Sequence, residues 1–144
     1  MNYITRERVH VDRIATAWAI RKFIDAEATF QFVPRTRDVR GMDGIPFDVR
    51  GAALTHRGGR CTFEVLLETY ELNDPALHRM ARVIHAADLP QDEPSNNLAP
   101  GVLAIFDGIR NGSTSDTERL DRGFVVCDAL YEYCKRSKRN DADE

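Results

Sequence analysis

Residues 2–33, NYITRERVHVDRIATAWAIRKFIDAEATFQFV, decide the fold class. NYITR (2–6) and ATFQFV (28–33) are short and rich in β-branched and aromatic residues, the composition of strands. Between them Asp12 stands where a helix N-cap would, followed by the apolar-rich DRIATAWAIRKFI. Strand, helix and strand in that order predict an N-terminal βαβ unit, because parallel strands need a crossover of about this length.

Downstream, residues 35–60 are full of Arg, Gly and Asp and read as loop, with a short extended piece around Phe47–Val49. Helical periodicity then takes over. Phe63, Leu66, Leu67 and Tyr70 follow the i, i+3, i+4, i+7 spacing of a buried face. Asp74-Pro75 is a helix start, and Leu77, Met80, Ala81 and Ile84 repeat the spacing. QDEPSNNLAP leads to a helix near 101–110, and Ser115 with Glu118 fits a capping box. The last helix runs to about Lys138, with Leu120, Phe124, Cys127, Tyr131 and Cys134 on one stripe. The expectation is an α+β fold: a predominantly helical single domain over 1–138, with about five helices on a small sheet. Residues 139–144 read as a disordered tail.

The bulk properties agree with one domain. The chain has 144 residues, 42% hydrophobic and 30% charged, which is globular composition. A net charge of −3 argues against a direct nucleic-acid-binding surface. No stretch approaches the roughly 20 apolar residues of a membrane span, and MNYITRERVHVDR lacks the apolar core of a secretory signal. Cys127 and Cys134 are about 10 Å apart along a helix, too far for a disulfide. Three thiols in a cytoplasmic protein are the expectation.

Candidate ligands fall in two places. His56 and Glu64 flank Gly58-Gly59 in THRGGRCTFEVLLE, and His85 and Asp88 lie at i and i+3 on one helix face. The short connection ELND makes the two helices neighbours, so His56 and His85 are expected to meet at one site. Two imidazoles with two carboxylates suit manganese, iron or zinc, and leave coordination positions open. The structural alternatives are a solvated Glu64/Glu68/Glu71 face, a hydrogen-bonded His85 and a helix-terminal Asp88. Asp12, beyond capping, is placed to bind a metal or position a substrate, and with Arg13 forms the candidate catalytic pair. Arg13, Arg57 and Arg60 can form an anion pocket, or serve as ordinary surface charge. Cys61 starts a helix, as a reactive thiol or a small buried residue.

Three blocks resemble the C-terminal domain of the chromate-resistance ChrB proteins: ITRERVHVDRIATAWAIRKFIDAEATFQFVP, PFDVRGAALTHRGGRCTFEVLLETYELNDPAL and VIHAADL. The likeness covers residues 2 to about 135. It implies a stand-alone version of a domain that longer members carry behind an additional N-terminal one, in association with chromate-dependent regulation. Where the family often has Cys this chain has Thr16, and where it commonly has Asp it has Ala86; neither change touches His56, Glu64, His85 or Asp88. The "exported" label linked to the family is not supported by this N-terminus. HVDRIATAWAI, PFDV and the late Asp88 are also similar, more weakly, to DHH-type manganese phosphoesterases, without their paired histidines.

The expectation drawn from these readings is a divalent-metal-binding domain, with or without turnover, for a small anionic substrate. Its alternative is an oxyanion sensor that binds chromate through arginines. An exposed helical face can support a homodimer.

Overall fold

The structure is a computed structural model that describes residues 1–143, with side chains described through Arg136. The tail expected at 139–144 lies outside the fully described residues. In chain order the elements are β1 (Asn2–Arg6), α1 (Val11–Ala19, extended by a π-helical turn, Ile20–Ile24), β2 (Thr29–Val33), β3 (Ile45–Pro46), α2 (Thr62–Thr69), α3 (Pro75–Asp88), α4 (Ala99–Gly112) and α5 (Asp116–Asp143). The α+β class and the βαβ opening are as the sequence predicts. The strands order β2-β1-β3, all parallel, with Asn2 opposite Thr29 and Arg6 opposite Val33. β3 joins through Tyr3–Ile45 and Ile4–Pro46, so the extended piece expected at 47–49 falls two residues earlier. Pro46 is tolerated because it sits on an edge strand.

α1 is the central helix. Val11, Asp12, Ile14, Ala15, Thr16, Ala17, Trp18 and Ala19 are all buried, so it is covered on nearly every side. It packs against α2, α3 and α5. Trp18 sits edge-on to Tyr131 with ring centroids 5.5 Å apart, and its indole N–H donates to Asp128 at 2.8 Å. These contacts tie α1 to α5. Asp74 caps α3 as predicted, accepting from the Ala76 N–H at 2.9 Å with Pro75 behind it. The Tyr131 hydroxyl also donates to Asp74, which joins that cap to α5.

Asp12 does not cap its own helix. The N-cap of α1 is His10, whose carbonyl accepts from the Ile14 N–H at 2.8 Å. The Asp12 side chain points inward instead and accepts from the backbone N–H groups of Thr62 (3.0 Å) and Phe63 (2.9 Å). Those are two of the donors that the first turn of α2 cannot satisfy within the helix. A carboxylate from α1 therefore fixes where α2 begins.

Among the described residues no helix is long and apolar enough to cross a membrane. Cys61, Cys127 and Cys134 are all buried thiols.

Gly123 marks the closest approach of α5 to α1. A Cβ there would lie 2.4 Å from Ile14 Cγ2 and 3.3 Å from the Phe106 ring. Ile14 is fully buried and β-branched, so it cannot swing aside. Gly123→Ala is expected to destabilise the domain by about 1–3 kcal/mol, although alanine is the better helix former. A denaturant midpoint equal to or above that of the unmodified protein would contradict this packing.

Candidate functional site

The polar centre forms where the first turn of α2 meets the last turn of α3. Asp12 reaches it from α1. Asp48 and His56 come from the loop between β3 and α2, and Cys61, Thr62 and Glu64 from the start of α2. His85 and Asp88 come from the end of α3.

The loop is shaped for this. Gly58 (φ 59°) and Gly59 (φ 78°) form a two-residue hairpin closed by paired Arg57–Arg60 backbone bonds of 3.1 Å, a turn that requires left-handed residues at both positions. Asp48 is itself left-handed (φ 50°), which asparagine and aspartate tolerate better than other side chains. Its carboxylate is gripped by the Arg13 Nε at 3.0 Å and by the Thr62 hydroxyl at 2.9 Å.

The structure sorts the four predicted ligands into two neighbouring clusters. In the first, His56 Nε2 lies 2.9 Å from Asp88 Oδ2 and 3.6 Å from Asp12 Oδ2. Its other nitrogen, Nδ1, lies 3.3 Å from Asp48 Oδ1 and 3.1 Å from the Thr62 hydroxyl. In the second, His85 Nδ1 is hydrogen-bonded to Glu64, and His85 Nε2 lies 2.8 Å from Asp92 Oδ2. Glu64 also accepts from the Cys61 N–H at 3.0 Å, completing a capping box on α2. Ligand atoms of Asp12, Asp48 and His56 all lie within 4.8 Å of one another, as do those of Cys61, Glu64 and His85. His56 and His85 thus stand at one helix junction, each with its own carboxylates.

The arginines divide differently from the expected anion pocket. Arg13 is committed to Asp48, through its side chain and through the Asp48 carbonyl at 3.0 Å. Arg60 is paired with Glu68, and Arg57 is exposed on the hairpin with one nitrogen 3.3 Å from the Ala53 carbonyl. Asp48 and Asp92 are the participants that sequence reasoning missed. Asp48 lies in the PFDV block, a stretch with no local feature that marks a ligand. Asp92 sits in a loop that reads only as polar.

Electrostatics follow from burial and these pairings. Burial pushes the Asp12 carboxyl up to about 7, helped by the charges of Asp48 and Asp88 and opposed by the Phe63 N–H and by His56. Burial also works against ionised Asp48, but its bond to His56 and the charge of Arg13 outweigh that and hold it below the usual range. The hydrogen bond to Asp48 raises His56 to about 9; partial burial opposes the shift and Asp88 and Asp12 reinforce it. For His85, burial favours the neutral ring, yet the bonds to Glu64 and Asp92 win and raise it. Burial, with Asp12 nearby, drives the Cys61 thiol far above its ordinary range.

A small parallel sheet joined to a mostly helical body, with imidazole–carboxylate clusters at one helix junction, defines a small α+β domain with a charged polar centre. Residues 3–134 match the family model described as ChrB, C-terminal domain, and the chain belongs to that family. It is 38% identical over 130 residues to Protein ChrB of Cupriavidus metallidurans, an alignment covering 90% of this chain and 39% of that protein. The chain therefore spans about two fifths of that relative's length. No solved structure matches it.

The pH dependence of stability follows from His56. Its pKa is raised on folding, so its contribution is fully present below about 6.5 and lost as pH rises through about 9. His85, also raised, acts in the same direction. With a chelator present, the urea midpoint is expected to fall between pH 6.5 and 9, and His56→Gln to flatten that slope. A midpoint that rises over this range, or an unchanged slope in the variant, would sink the assignment.

Proposed function

We propose that this domain is a divalent-metal-binding module in which His56 Nε2, Asp88 and Asp12 hold one ion, with Asp48 orienting the imidazole. The observation that carries the reading is the asymmetry of the His56 ring. One nitrogen is occupied by Asp48 and Thr62, while the other faces two carboxylate oxygens at 2.9 and 3.6 Å. Metal-ligating histidines typically give their second N–H to a carboxylate in this way, which fixes tautomer and ring orientation. Ligand atoms around an ion at about 2.1 Å in octahedral geometry stand roughly 3 Å apart, which the His56–Asp88 pair already meets at 2.9 Å, while Asp12 at 3.6 Å has to move inward. Nε2 exchanges its proton for the ion.

One imidazole with two carboxylates suits manganese or iron(II), with zinc as the borderline case. Three protein ligands leave positions for water or for an oxygen of a small anion, and the ion supplies Lewis-acid polarisation there. With 41% of its side chain exposed, His56 is accessible to such a ligand. Arg57, its neighbour on the exposed hairpin, adds positive charge at the approach. Chromate, which the family resemblance implies, belongs to this class of oxyanion. Arg13 supports the site through Asp48 and does not touch the substrate.

Titration of chelator-treated protein with Mn²⁺, read by calorimetry and elemental analysis, is expected to give one equivalent. His56→Ala should abolish that binding, and Asp48→Asn should weaken it by about 10–100-fold. Full occupancy in His56→Ala would overturn the reading.

A further inference from the structure

We propose that Cys61, Glu64 and His85 form a second metal site, softer than the first and next to it, that takes a thiolate-binding divalent ion such as zinc, cobalt or iron(II). The inference builds on the reading of the His56 cluster but uses different residues.

Three features of the structure carry it. First, the Cys61 Sγ, a Glu64 carboxylate oxygen and a His85 ring nitrogen all lie within 4.8 Å of one another. Tetrahedral coordination with bonds of about 2.0–2.3 Å needs ligand atoms roughly 3.3–3.8 Å apart, so His85 and Glu64, hydrogen-bonded to each other, part to admit the ion. Second, His85 repeats the arrangement of His56. Nδ1 faces the cluster and Nε2 lies 2.8 Å from the Asp92 carboxylate, the outer partner that orients a metal-bound imidazole. Third, one of the three donors is open to solvent, with the Glu64 side chain 26% exposed. Glu64 also lines a groove of about 500 Å³ between α2 and α3, together with Arg60, Glu68, His78 and Arg82. An ion can reach Glu64 from solvent although Cys61 is fully buried and the His85 side chain is only 12% exposed.

The donor set explains the preference. A thiolate and an imidazole select zinc, cobalt or iron(II) over magnesium or calcium, whereas the His56 cluster offers mostly oxygen. On binding, the Cys61 S–H bond breaks, its proton passes to solvent water and an Sγ–metal bond forms; nothing is oxidised or reduced. His85 binds as the neutral ring through Nδ1, keeping its Nε2–H on Asp92. Asp12 of the first set accepts from the Thr62 and Phe63 N–H groups, and Cys61 and Glu64 of the second set flank them, so the two sites meet at the start of α2.

Cobalt(II) titration of the chelator-treated full chain tests this, because a thiolate ligand gives a charge-transfer band in the near ultraviolet. The unmodified protein is expected to bind two equivalents and to develop the band with one of them. Cys61→Ser should lose the band and one equivalent, with circular dichroism checking its fold. His85→Gln, which leaves the buried thiol in place, should lose the same equivalent at cobalt concentrations up to about 100-fold above the unmodified Kd. No band at saturating cobalt, or a band that persists unchanged in His85→Gln, overturns the proposal. His56→Ala separates the two readings: it should keep the band and lose only the other equivalent. A His56→Ala protein that keeps both equivalents refutes the first site and leaves the thiolate site standing.

Discussion

The Asp12 carboxylate is buried at 2% exposure, and its two oxygens take the Thr62 and Phe63 N–H groups at the start of α2. Ionising a carboxyl in the interior is costly, and here two backbone donors and the positive end of a helix dipole offset part of the cost. That single interaction locates α2 on α1. Everything at the polar centre hangs from it, since Cys61, Thr62 and Glu64 are the first residues of α2 or immediately precede it. Replacing it with an apolar contact would leave those N–H groups without a partner.

The constraint propagates through polarity. α2 presents its N-terminus to the centre and so stabilises anionic ligands there. α3 presents its last turn, with His85 and Asp88, and the negative end of its dipole favours cations. A carboxylate at that end is unfavourable unless positive charge comes close, and His56 at 2.9 Å supplies it in the metal-free protein. Two raised histidines are the consequence. The two imidazolium groups offset part of the negative charge of the carboxylates around them, and a cation at this junction would meet the same surroundings.

Local signals carried most of the fold. The β1–α1–β2 unit, the Asp74-Pro75 start of α3 and the apolar stripes of α2, α3 and α5 depend on neighbours within a few residues, and such patterns are visible in a sequence. The site was legible only in part. His56, Glu64, His85 and Asp88 stood out by residue type, and the junction of two adjacent helices was deducible from the short ELND connection. Which carboxylate would pair with which imidazole was not deducible. Asp48 reaches His56 because it adopts a left-handed backbone and is gripped by Arg13, and neither fact is local to PFDV. Asp12 shows the same limit: its position suggested a cap, but the helix it caps begins 50 residues away. A guanidinium matches an oxyanion, which makes Arg13 a candidate for an anion pocket, but in the fold the Asp48 carboxylate of the same chain occupies it.

In the proposed site Asp12 has two roles: it anchors α2, and it would turn one oxygen toward an ion bound at His56 Nε2. Anomalous diffraction from crystals soaked in Mn²⁺ locates the ion without relying on any substitution. The expected result is a peak about 2.1–2.3 Å from His56 Nε2 and in contact with Asp88 and Asp12, with His56 Nδ1 still bonded to Asp48. A manganese peak on the Nδ1 side of the ring, or one that touches none of these three residues, would contradict it.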